Sequence, residues 1–117
     1  MRRNLIRVAL AAAATGLCLA QAGVAQAASA EKGKILFMKF GCWQCHGTQG
    51  QGAISGPKLA PNPLPFDALA SFVRTSSRQM PPYREKVLSN DDLADIYAYL
   101  QSIPSSPDPK DLPLLRD

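Results

Sequence analysis

From residue 29 onward the apolar positions of the chain recur at helical spacing in three stretches, separated by segments rich in Gly, Pro and Gln. The clearest is "SNDDLADIYAYLQSIP", residues 89–104. Leu93, Ile96, Tyr97, Leu100 and Ile103 fall on one helical face there. Ser89 with Asp92 three positions on forms a capping box, and Pro104 stops the run. An earlier helix is predicted from a Ser29 cap through about Phe40, with Ile35, Leu36, Phe37 and Phe40 available for burial and Gly41 ending it. Gly33 inside this helix costs about 1 kcal/mol against alanine, a cost that close packing on another helix would explain. "PFDALASFVR", from Pro65 to Arg74, predicts a shorter helix with Phe66, Leu69, Phe72 and Val73 turned inward. Thr48 to Pro63 reads as loop, and no stretch alternates as a strand. The pattern predicts an all-α domain.

The two ends read differently. Arg2, Arg3 and Arg7 precede an apolar run from Val8 to Ala20, and Ala25-Gln26-Ala27 is a small-x-small cleavage site. Residues 1–28 are therefore expected to be a cleaved export signal, with an uncleaved anchor as the alternative. The run is too short and alanine-rich for a membrane span, so none is expected in the mature form. Residues 29–104 form the expected domain and residues 105–117 an extended tail stiffened by Pro107, Pro109 and Pro113. Leu112, Leu114 and Leu115 are expected to fold back on the domain.

Removing the leader changes the charge argument. It carries three of the arginines and no acid, leaving ten Lys+Arg against nine Asp+Glu, +1 rather than +4. The basic character belongs to the leader and gives no support to nucleic-acid binding. Cys18 leaves with it, so Cys42 and Cys45 are the remaining thiols. A disulfide between them would close a very small loop and stabilise little.

Those cysteines stand in "GCWQCHG", followed directly by the chain's single histidine, His46. Cys-x-x-Cys-His is the attachment signature of c-type haem: thioethers form at Cys42 and Cys45, and His46 reaches the iron. A thioredoxin-like pair should come with a strand–helix context, and a zinc site would need further Cys or His ligands. With one histidine, bis-histidine ligation within the chain is excluded, leaving Met, Lys, water or an empty sixth position. Met38 lies on the helix feeding the motif and reads as core packing. Met80, 34 residues after His46 in "RQMPPY", has chain enough to approach from the other face, and Pro81 and Pro82 stiffen the loop beyond it. His/Met is a common c-type pairing that raises the reduction potential.

Taken together, Gly33 and Phe37 in the first helix, "CWQCHG", "GPKL" at 56–59, "MPPY" at 80–83 and Tyr97 in the last helix resemble the small bacterial monohaem class I cytochromes c, over about residues 30–103. The resemblance implies a small cytochrome c fold, three main helices around one covalently bound haem c. It also implies that the Pro57 carbonyl accepts a hydrogen bond from His46, that Leu59 packs on the haem, and that the first and last helices cross at Gly33 and Tyr97. Trp43 is left as either part of a docking surface or a semi-buried spacer. Unlike carriers ringed with lysine, the mature chain is near neutral, so docking through an apolar patch around the haem edge fits better than strong steering.

The expectation is a periplasmic electron carrier rather than an enzyme, free or serving as the haem subunit of a periplasmic dehydrogenase. Its partners would be redox proteins: such a dehydrogenase as donor, an oxidase or another cytochrome as acceptor. The alternative is a gas-sensing or peroxidase-like haem protein with a labile Met80. A peroxidase site wants a distal acid/base group, commonly histidine, and no second histidine exists.

Overall fold

The computed structural model describes residues 27–115, so the expected leader lies almost wholly outside the described residues. Four α-helices are arranged in the order α1 (Ala30–Lys39), α2 (Trp43–His46), α3 (Phe66–Thr75) and α4 (Asn90–Ser102). Among the described residues there is no strand, only an isolated bridge between Ala53 and Gly56. The all-α expectation holds; the extra element, α2, is the single turn that carries the cysteine–histidine motif.

Local chemistry sets the helix starts as expected. The Ser29 hydroxyl accepts from the Lys32 N–H, and the Ser89 hydroxyl from that of Asp92. Each such cap contributes about 1 kcal/mol. Pro65 stands at the N-cap of α3 rather than inside it, with an extended ψ of 141°.

α1 and α4 pack directly on one another, and Gly33 is the reason they can. A Cβ at this position would land on the Asp95 carbonyl and 2.9 Å from the Ile96 nitrogen. The crossing is therefore made against the backbone of Asp95 and Ile96, not at Tyr97. Tyr99 is the tyrosine buried in the crossing, 5.7 Å from the Phe37 ring, and its hydroxyl donates to the Thr48 carbonyl at 2.9 Å. Tyr97 is half-buried and meets Phe66 of α3 edge-on. The core comprises Leu36 and Phe37 from α1, Leu69 and Val73 from α3, Leu93, Ile96, Tyr99 and Leu100 from α4, with Ala60 and Leu88 from the loops.

Other expectations are corrected. Ile35 is 68% and Met38 38% exposed, so Met38 is not core packing. Leu36 and Phe37 already occupy the inner face of a helix too short to bury a wider arc. Phe72 is also exposed at the protein surface, although one side of it lines the cavity shared by Cys42 and His46. Leu114, 94% exposed, does not fold back on the domain, and the tail makes two 3-10 turns, Pro109–Asp111 and Pro113–Leu115, instead of running extended.

An ion cluster ties the start of α1 to α4. Lys32 Nζ lies 2.8 Å from both Asp92 and Asp95, and Asp95 also accepts from the Ser29 N–H at 2.6 Å. The Lys32 ammonium holds both carboxyls below their ordinary range. Carboxyls depressed in the folded state stabilise it above their unfolded pKa, near 4, and lose that contribution as pH falls through the lower folded values. Lys32→Met should therefore lower the urea midpoint at neutral pH, with the difference from wild type shrinking as pH drops below about 4. A constant difference across that range would show that the cluster contributes nothing through charge.

Candidate functional site

The motif is positioned by the way α1 ends. The Cys42 N–H donates to the Phe37 carbonyl at 3.1 Å, and the His46 N–H to that of Cys42 at 3.0 Å, closing the turn α2. Within this turn Cys42, Cys45 and His46 stand at i, i+3 and i+4, the spacing that gathers side chains on one helical face. All three line a single cavity of about 490 Å³, whereas Trp43, between the cysteines and 39% exposed, does not.

His46 is buried, and its Nδ1 lies 2.8 Å from the Pro57 carbonyl oxygen. A carbonyl can only accept, so Nδ1 carries the proton and Nε2 is left with the lone pair. The neighbouring Gly56 makes this approach possible: a Cβ there would sit 2.7 Å from the Cys45 oxygen and 3.0 Å from His46 Nδ1. Leu59 is half-buried, packs on the core and lines the same cavity. Gly56→Ala should push the loop outward and weaken the Nδ1–H···O=C bond. A less basic imidazole stabilises the oxidised iron less, so the reduction potential should rise, which a spectroelectrochemical titration reads directly. An unchanged potential would mean the loop absorbs the methyl without moving Pro57.

Met80 reaches the cavity from the connection between α3 and α4. Its carbonyl accepts from the Ser76 hydroxyl at 2.8 Å, and the Tyr83 N–H donates to the Val73 carbonyl at 2.9 Å. Arg74 donates to the Tyr83 carbonyl at 2.7 Å and to Asn90 Oδ1 at 2.8 Å, while the Tyr83 hydroxyl donates to the Phe40 carbonyl at 2.7 Å. The segment around Met80 is thus fastened to α3 and to the end of α1, and Arg74 links the same helix to the start of α4. Sequence reasoning found Met80 and Tyr83 but missed Ser76 and Arg74. A serine and an arginine at the end of a helix carry no signal of their own until the loop folds back beside them.

Burial pushes the Cys42 thiol up to about 11. That is opposite to the lowered pKa that an attacking thiol in disulfide exchange needs. No group of three or more His, Cys, Asp or Glu side chains that could hold a metal ion occurs among the described residues.

What remains is a largely apolar cavity of cofactor size, with two thiols and one Nε2 on one wall and a thioether on another. These residues fit a covalently attached haem, and the fold and the cavity define a small c-type cytochrome. The family described as "Cytochrome C oxidase, cbb3-type, subunit III" matches residues 28–100, and the chain belongs to that family. Among curated proteins it is 32% identical, over 68% of its own length, to the "Cytochrome bc1 complex cytochrome c subunit" of Corynebacterium diphtheriae. It is likewise 32% identical, over 67% of its length, to the protein so described from Corynebacterium efficiens. The chain spans 29% and 27% of the length of these relatives. No solved structure matches significantly. The cofactor is haem c, carried at the Cys-x-x-Cys-His spacing of Cys42, Cys45 and His46, and the chemistry is electron transfer.

Proposed function

We propose that this chain is an exported, periplasmic one-electron carrier in which Cys42 and Cys45 would hold the haem and His46 and Met80 would bind its iron. The observation that carries the reading is the meeting of a buried, oriented His46 and a fastened Met80 on the wall of one apolar cavity. Bound haem supplies cycling between Fe(III) and Fe(II). The chain's own residues set the conditions for it. The Pro57 carbonyl holds the His46 ring and makes Nε2 the more basic nitrogen. The Ser76 and Tyr83 bonds hold the Met80 segment in one place, so that little reorganisation accompanies a change of charge. Leu59, Leu69, Val73 and Ile96 exclude water from the same space.

The leader read in residues 1–28 supports export, with residues 29–104 as the haem domain and the Pro-rich tail beyond it. Similarity to bc1 complex subunits supports partners in a respiratory chain, with a periplasmic dehydrogenase as the other candidate donor and an oxidase or another cytochrome as acceptor. The chain serves either free or as the haem subunit of such an assembly. Among the described residues no helix is long and apolar enough to cross a membrane.

The test is to mature the full chain in cells with a haem-attachment system, fractionate them, and record oxidised and reduced spectra. A periplasmic, low-spin protein with the sulfur-to-iron band in its oxidised form and no uptake of carbon monoxide is the expected result. A high-spin iron that takes up carbon monoxide would replace the carrier with the sensor or peroxidase reading.

A further inference from the structure

Two bonds near the start of α1 fit the small-x-small pattern of leader processing. Ala25-Gln26-Ala27 points to cleavage before Ala28, and Ala28-Ser29-Ala30 to cleavage before Glu31. The fold separates them. Ser29 caps α1 through its hydroxyl, and its N–H donates to Asp95 Oδ1 at 2.6 Å. Cleavage before Glu31 would strip the cap and leave that oxygen without its donor, whereas cleavage before Ala28 keeps both and falls in exposed chain. Asp95 itself is a buried carboxylate, its side chain 9% exposed. Its cation, Lys32, is shared with Asp92 and about half exposed. Glu31 and Asp91 add further acids in the first turns of α1 and α4, so negative charge is in excess where these two turns meet.

Hydrolysis of the Ala27–Ala28 peptide bond consumes one water, leaves a carboxylate on Ala27 and frees an α-ammonium on Ala28. Adjacent backbone nitrogens lie about 3–3.6 Å apart, so the new charge arises within about 6 Å of the carboxylate that holds the Ser29 nitrogen. We infer that processing before Ala28 supplies the second cation of this cluster, and that the mature terminus thereby clips α1 to α4. The inference rests on the export reading and is independent of the ligands to the iron. The clip bears on the helix crossing, since the Ser29 carbonyl accepts from the Gly33 N–H at 2.9 Å. At such a separation near a protein surface, a carboxylate should raise an α-amino group from its ordinary range of about 7.7–8.0 to about 8.5 or above. A group raised in the folded state stabilises it fully below the unfolded value, near 8, and loses that contribution as pH rises through the folded one.

The experiment takes the holoprotein matured in cells, as wild type and as a variant with Gly-Ser-Gly-Ser inserted between Ala27 and Ala28, which carries the ammonium away while keeping Ser29. Intact mass gives the first residue, and NMR of the reduced, diamagnetic protein gives the α-amino titration. The expected wild type begins at Ala28 and titrates at about 8.5 or above, while the insertion variant titrates in the ordinary range. Its urea midpoint should lie below that of wild type at about pH 7, with the gap closing by about pH 10. A processed wild type whose α-amino group titrates in the ordinary range, or whose first residue is Glu31, would overturn the inference and leave the export reading standing. A holoprotein that retains its leader would overturn both. If the insertion variant yields no folded protein, the wild-type titration decides alone by the same two values.

Discussion

Replacing Met80 by alanine should abolish the sulfur-to-iron band of the oxidised holoprotein, open the iron to carbon monoxide and lower the reduction potential by on the order of 100 mV or more. That fall is a modest share of the roughly 0.8 V over which axial ligands tune haem proteins. The direction comes from the thioether, which favours reduced iron more than water or hydroxide would. The structure argues that the rest of the site survives the change. The Met80 backbone stays tied through its own carbonyl to Ser76, and the Tyr83 bonds to Val73, Arg74 and Phe40 do not involve the lost side chain. Since Met80 is only partly buried, the stability cost should sit near about 2 kcal/mol, the low end for methionine truncation. Covalent haem should therefore still be present to report the change. A variant that keeps the band and excludes carbon monoxide would remove Met80 from the iron and place another ligand there.

Gly33→Ala should be the most damaging single methyl in the protein. Helix propensity alone predicts a gain of about 1 kcal/mol. Against it stands a Cβ that would overlap the Asp95 carbonyl, backbone that cannot rotate aside as a side chain can. Overpacking of a tight contact costs about 1–3 kcal/mol, and the backbone clash puts this case at the upper end or beyond. Separating α1 from α4 also disturbs the Phe37–Tyr99 contact and the Tyr99 bond to Thr48, which lies just past the haem motif. The net loss should be about 2 kcal/mol or more, a sizeable part of the roughly 5–15 kcal/mol that holds a domain folded. Denaturant unfolding of the holoprotein measures it. A midpoint equal to or above that of wild type would mean the helices can separate without loss, and the crossing would not depend on glycine.

The two tyrosines of α4 show where reading the sequence stopped. Tyr97 falls on the apolar stripe with Leu93, Ile96 and Leu100, and the family resemblance implied the helix crossing there. In the structure Tyr99 is the buried one, because α1 meets α4 at Asp95 and Ile96 and its Phe37 ring reaches along the helix to position 99. A stripe gives the face of a helix but not the point where a neighbour crosses it. The Lys32–Asp92–Asp95 cluster was illegible for the same cause: Lys32 is remote in sequence from both acids, and only the crossing brings it within 2.8 Å of them. Ile35 and Met38 show the converse, apolar residues that look like core until the narrow contact arc of a short helix leaves them outside.

The sequence by itself determined the chemistry and the local structure. Cys-x-x-Cys-His names its own cofactor because thiols and imidazole at that spacing share one helical face. Ser29, Ser89 and Pro104 delimit helices through short-range hydrogen bonds and steric exclusion, which need no tertiary partner. Tertiary structure alone decided how the Met80 segment is held, since Ser76, Arg74, Val73 and Phe40 become its anchors only when the loop closes on α3 and α1. It also decided that Arg78 borders the cavity while Arg74 does not. Long-range contacts of this kind depend on where elements cross, and crossing points depend on backbone approach at positions such as Gly33 and Gly56, which no periodicity encodes.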